Sequence, residues 1–196
     1  MKTISVNVFQ FNELDDKAKE VAREWFKKDY PDYEWWDTVY DDAKEVATFL
    51  GVTIDKINFS GFWSQGDGAC FTGTFRSDDL KTLDELKENY PTEEGFHVLL
   101  QRLLALNHPD NALVKITASG FYSHSNTMAF DDVDEVYERW TCCEIASCLR
   151  SFADWIYAQL EKEYEYLMSD ECVDKNIQIN EYWFLVDGSR STLGDD

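Results

Sequence analysis

Cys70 and His124 are the two side chains whose types suit covalent chemistry: a thiol nucleophile and an imidazole base, provided that the segments carrying them pair. Ser123 and Ser125 flank His124, so a triad can be drawn, although the acidic surroundings supply little positive charge to stabilise a thiolate. The plainer reading is a small buried thiol in a core and a histidine in a turn. A small hydrolase or transferase using Cys70 and His124 is the enzymatic alternative, and the leading expectation is a chain without catalytic residues. His97 and His108 stand eleven apart with no acid placed to complete a metal site. The five cysteines, Cys70, Cys142, Cys143, Cys148 and Cys172, show neither C-x-x-C spacing nor a neighbouring histidine, so reduced thiols, no metal and no cofactor are expected.

The segment Gly61-Phe62-Trp63-Ser64-Gln65-Gly66-Asp67-Gly68 concentrates glycines among aromatics. It is not a phosphate loop, because no Gly-Lys-Ser or Gly-Lys-Thr opens a helix there and a strand is predicted to follow. A tight hairpin turn accounts for it structurally. In functional terms, Phe62, Trp63, Gln65 and Asp67 form a contact surface, since aromatics beside a turn serve as interface anchors.

Two acidic runs offer a different chemistry. Asp131, Asp132, Asp134, Glu135 and Glu138 place five acids in eight residues, and Glu161, Glu163, Glu165, Asp170 and Glu171 follow on and beyond a predicted helix. A solvated face is the usual meaning of such runs, and the first lacks the Asp-x-Asp-x-Asp-Gly pattern of a calcium loop. The third reading is docking to a basic groove, with Asp131, Asp132, Asp134, Glu135, Glu161, Glu165, Asp170 and Glu171 as partner-binding candidates. As a nucleic-acid mimic, one helix is too dilute: about one charge per 4 Å against one per roughly 1.7 Å of duplex. Mimicry therefore requires several runs to converge on one face.

The whole chain of 196 residues carries 39 Asp and Glu against 18 Lys and Arg, a net charge of −21. Seven Trp, ten Tyr and thirteen Phe nevertheless supply the apolar surface of a folded core. Such acidity makes direct binding to nucleic acid improbable and favours basic partner surfaces. No stretch approaches the roughly 20 apolar residues of a membrane span. The start, Met1-Lys2-Thr3-Ile4-Ser5-Val6, alternates polar and apolar residues unlike a secretion signal, so a cytoplasmic location is expected.

Periodicity assigns the elements that must position these residues. Alternation predicts a strand over Thr3 to Phe11, followed by a helix capped at Asn12 with a stripe of Leu14, Ala18, Val21 and Trp25. A second helix runs from Tyr33 to Leu50 and stops at Gly51. Residues 52–75 read as one hairpin, and Ala112 to Ser123 with Thr127 to Val133 as another. Leu80, Leu83 and Leu86 mark a short helix, and Phe96 to Leu104 mark the next. Ile145, Leu149, Phe152, Ile156, Leu160, Tyr164 and Leu167 mark one long helix. A short helix near Asp170 to Ile179, a strand at Tyr182 to Val186 and a frayed end over 188–196 complete the chain. The fold class is α+β: an antiparallel sheet of hairpins covered by several helices, one of them long and near the C-terminus, in a single acidic domain over 1–196.

Four blocks carry a resemblance. They are Phe11-Asn12-Glu13-Leu14 leading to Ala22-Arg23-Glu24-Trp25-Phe26; Tyr33-Glu34-Trp35-Trp36-Asp37 leading to Tyr40-Asp41-Asp42-Ala43-Lys44; Phe59 through Gly73; and Trp155-Ile156-Tyr157 through Leu167. In these the chain resembles a family of small acidic phage and prophage proteins often labelled "antitoxin of toxin-antitoxin stability system". The resemblance implies action in the host cytoplasm and carries over no catalytic residue. The expectation is an accessory protein that binds and inhibits a host nucleic-acid-acting or defence protein through an acidic, aromatic-anchored surface. An antitoxin neutralising a partner toxin is the second binding reading.

Overall fold

The computed structural model describes residues 5–120 and 122–192. It is a mixed α+β fold with two antiparallel sheets and several helices, divided into two compact units: Trp36–Glu161, and the chain before Trp36 with that after Glu161.

The larger unit is built on a four-stranded antiparallel meander. Helix α2 (Asp37–Phe49) buries Val39, Ala43, Val46 and Ala47, and Gly51, at φ 68°, turns the chain into the sheet. The helix begins four residues later than the aromatic run suggests, because Trp36 occupies the cap position. Strands β2 (Leu50–Ser60) and β3 (Gly68–Leu80) form the first hairpin, with Phe59 opposite Ala69 and Ile57 opposite Phe71. Helix α3 (Leu83–Asn89) opens on a capping box in which Thr82 and Glu85 exchange side-chain and backbone bonds, a Thr-x-x-Glu signal present in the sequence. Leu80, expected in that helix, ends β3 instead. Helix α4 (Glu94–Leu104) precedes the second hairpin, β4 (Leu113–Ala118) and β5 (Met128–Asp132).

Alternation along β3 and β4 places Phe71, Phe75, Val114 and Ile116 on one buried face, while Lys115 and Thr117 point to the exposed one. Helices cover the buried face. Helix α5 (Arg139–Leu167) contributes Ile145, Leu149, Phe152 and Ile156, all buried. The Phe152 ring meets Phe71 at 5.8 Å and Phe96 at 6.1 Å edge to face, and stacks on Trp155 at 5.8 Å. This aromatic cluster joins sheet, α4 and α5 in one core.

The smaller unit packs α1 (Asp16–Lys27) against α6 (Asp170–Ile179). Its core is Phe11, Leu14, Ala18, Ala22, Val173, Ile177 and Phe184. The cap of α1 is Asp15, whose carboxylate accepts from the Ala18 amide at 2.8 Å, rather than Asn12, which lies in a 3₁₀ turn. This shifts the buried face to Ala18 and Ala22, small residues that allow close helix approach, and leaves Val21 exposed. The strand expected over Thr3 to Phe11 is confined among described residues to β1 (Phe9–Gln10), paired with β6 (Trp183–Phe184); Thr3 and Ile4 lie outside them. The segment read as a frayed end from Gly188 carries β7 (Arg190–Ser191), paired with β6, and residues 193–196 lie outside the described ones.

Asp170 sits 2.8 Å from Lys27 Nζ and 3.5 Å from Arg23. The hydrogen bond from Lys27, joined by the charges of Lys27 and Arg23, holds its carboxyl below the usual range. A folded-state value below the unfolded one means a contribution present at neutral pH and lost as pH falls from about 4 through the folded value. Asp170→Asn is expected to cost no more than about 1 kcal/mol at pH 7, as for exposed pairs, and to flatten the acid limb of the stability profile. Urea midpoints at pH 7 and pH 3 measure both.

Candidate functional site

The seven residues between β2 and β3 form an aromatic loop closed by hydrogen bonds. Asp67 closes it: its Oδ2 accepts from the Ser64 amide at 2.7 Å, while the Asp67 amide donates to the Ser64 carbonyl at 3.1 Å. Tyr157 of α5 donates from its hydroxyl to the Gly61 carbonyl at 3.3 Å and packs its ring 5.6 Å from Phe62. From there a strip of rings runs back into the unit. Phe62 lies 5.9 Å from Phe59, which lies 5.7 Å from Trp36 and 6.4 Å from Tyr40. A groove of about 450 Å³ follows β2 beside this strip, lined by Trp36, Tyr40, Lys44, Lys56 and Phe59 among others.

Trp63 ends the strip. Its ring is 5.7 Å from Phe62, its backbone adopts φ 69°, and 69% of its surface is exposed. Positive φ is uncommon for a bulky side chain and costs about 1–2 kcal/mol, so the closed loop around it must impose the conformation. Tyr122, 59% exposed, borders the same loop: a Cβ on Gly66 would lie 3.4 Å from its ring.

Of the four loop candidates, Trp63 and Gln65 are exposed, Phe62 is half-buried as the support of Trp63, and Asp67 is half-buried as the staple of the loop. Glu161 joins them. Burial raises the Tyr157 phenol pKa, and the charges of Asp67 and of Glu161, one turn further along α5, raise it further.

Within the larger unit, the Asp131 to Glu135 run does not join them. Asp131 stands opposite Lys115, itself opposite Thr74, six residues along β3 from the loop, or about 20 Å. Asp132 is half-buried and accepts from the Tyr137 amide at 2.7 Å, fixing the turn into α5. Asp134 and Glu135 are exposed in that turn. In the smaller unit, Glu165 is exposed on α5, and Asp170 and Glu171 occupy the first turn of α6, where negative charge complements the helix dipole.

Cys70 is buried in β3 opposite Asn58, and His124 accepts the Asn126 amide on Nδ1 at 3.0 Å. Among the described residues no hydrogen bond joins them, and no group of three or more potential metal ligands is assembled. His97 Nε2 bonds the Tyr90 carbonyl, and His108 bridges Tyr137 and the Leu103 carbonyl. The cysteines are all unpaired thiols; Cys143 is exposed, and burial pushes the Cys142 and Cys148 thiols up. With a disulfide reagent at neutral pH, Cys143 is expected to react first and the other four at least about tenfold more slowly. Rapid labelling of Cys70, mapped by mass spectrometry, would support the thiol-nucleophile alternative.

The sequence reading named Glu161 as a partner-binding candidate but missed the rings that support the loop, Tyr157, Trp36 and Tyr40. Tyr157 and Glu161 lie one turn apart on α5, and Trp36 and Tyr40 one turn apart at the start of α2; those spacings were the available signal. No described helix is long and apolar enough to cross a membrane. No curated protein and no solved structure matches the chain. Over residues 35–170, which hold the whole aromatic loop and its supports, it matches the family model described as a domain of unknown function, DUF8835. That match spans well over half the sequence, and the chain belongs to the DUF8835 family.

Proposed function

We propose that this protein is a non-enzymatic binding protein that docks the Trp63 loop onto a basic surface of a partner protein. The observation that carries the reading is Trp63 itself, an indole held exposed at positive φ by a hydrogen-bonded loop and an aromatic strip. Indole anchors supply large contact area at little entropic cost, and local strain concentrates at sites of function. The net charge of −21 selects the partner's sign: it repels nucleic acid and steers the protein toward cationic grooves.

Proteins that act on nucleic acids carry such grooves. With the phage-family resemblance, this favours a host defence or nucleic-acid-acting protein, inhibited in the cytoplasm by occupation of its basic surface. Asp67 closes the loop that carries the anchor, and Glu161 lies one turn along α5 from its support Tyr157, so local charge complementarity supports the reading more than a continuous mimic of duplex DNA does. Affinity capture from host lysate at low and high salt tests it. The expected result is a basic protein retained at low salt and depleted at high salt; retention unchanged by salt contradicts it.

A further inference from the structure

The segments on either side of the family match build a second site, in the smaller unit. The end of α1, the turn after it and one face of α6 line a cavity of about 360 Å³, at the small end of the range for ligand pockets. Trp25, Phe26, Tyr30, Tyr33 and Tyr182 supply five of its walls, and Asp29 and Asp32 supply carboxylates. The rings meet at angles rather than as a stack: Trp25 and Tyr182 stand 5.2 Å apart at 86°, and Tyr30 and Tyr33 stand 6.2 Å apart at 62°. Phe26 and Tyr30 close the set at 4.7 Å.

Two features select the charge of a ligand. Aromatic faces carry negative potential and attract cations, most strongly those with weakly held water. The chain already uses two of these rings in this way, since the Arg190 guanidinium lies 4.7 Å from the Tyr182 centroid and 5.5 Å from that of Trp25. Asp29 and Asp32 are exposed, so they add attraction for a cation without the cost of burying a carboxylate. Asn176 and Asn180 also line or border the pocket, and the amide nitrogen of each bonds a carbonyl within α6. Asn176 also donates to the Tyr30 hydroxyl at 3.5 Å, so what its side chain has left to offer a ligand is carbonyl oxygen, suited to a positive group.

We propose that this pocket binds an alkylated ammonium group. A trimethylammonium head combines full charge with apolar methyl groups, so it gains from ring faces and carboxylates while losing little hydration, unlike a primary amine. The group is either a free quaternary amine or a methylated lysine side chain.

The test titrates the intact chain by calorimetry with choline, with its uncharged isostere 3,3-dimethylbutan-1-ol, and with a trimethyllysine peptide and its unmodified twin. Choline or the trimethyllysine peptide is expected to bind at least about tenfold more tightly than the uncharged or unmethylated counterpart. Tighter binding of the peptide assigns the group to a protein, and binding of choline alone assigns it to a free amine. Tyr30→Leu and the pair Asp29→Asn, Asp32→Asn are each expected to weaken binding severalfold. These positions are half-buried or exposed, so a fold intact by circular dichroism separates loss of the site from loss of structure. Equal binding of choline and the isostere, or no binding of any probe up to about 10 mM, overturns the proposal.

Discussion

Gly73→Ala is expected to destabilise the larger unit by about 4 kcal/mol or more, a large share of the roughly 5–15 kcal/mol that folds a domain. Gly73 lies in the middle of β3 at φ 156°, opposite Ile54, beside the irregularity that shifts the register between Ile54 and Lys56. A Cβ there would fall well inside contact with the Thr53 carbonyl oxygen and 3.0 Å from its carbon. Both are backbone atoms of the paired strand, so no rotamer change relieves the clash, and the hairpin that carries the Trp63 loop must move. At about 2–4 °C per kcal/mol for a chain of this size, the melting temperature should fall by roughly 10 °C or more. Gly95→Ala is the control: it lies in α4, a Cβ there meets nothing within 4 Å, and alanine should be neutral or stabilising by up to about 1 kcal/mol. A Gly73→Ala loss below about 1 kcal/mol would mean that the irregular strand pairing absorbs the side chain.

Trp63→Gly is expected to weaken partner binding by about 30-fold or more, the usual effect of removing an anchoring indole, without lowering stability. Trp63 is mostly exposed, so little buried surface is lost, and glycine relieves the cost of positive φ. That opposition separates the docking role from a structural one. Phe62→Ala should lower both stability and affinity, because Phe62 is packed between Phe59 and Tyr157. Equilibrium unfolding alongside titration of the captured partner reads the two quantities independently. Native affinity in Trp63→Gly would remove the loop from the interface.

The long helix α5 was legible in the sequence because its apolar residues recur over many turns, and the hairpin at Gly61 to Gly68 because glycines interrupt β-branched and aromatic runs. Over the described residues the Val6, Val8 alternation misled because alternation makes a strand only where a partner strand lies alongside, and β6 pairs with Phe9 and Gln10. Asn12 and Asp15 are both competent caps; packing of Ala18 and Ala22 against α6 decided between them. At the site, the loop residues were visible as a cluster. Their support by Tyr157, about 95 residues away, and the separation of Asp131 from the loop depend on tertiary register, which local spacing does not encode. The aromatic pocket escaped notice for the same reason, since Trp25 and Tyr182 meet across most of the chain.

On the proposed reading, charge steers approach and the Trp63 loop holds the complex. Association and dissociation rates with the captured partner, measured across ionic strength, test that division most directly. The association rate is expected to fall at least about tenfold between roughly 20 and 300 mM salt while dissociation changes little, and Trp63→Gly is expected to raise the dissociation rate alone. An association rate that stays flat with salt, or a dissociation rate that Trp63→Gly leaves unchanged, would contradict it.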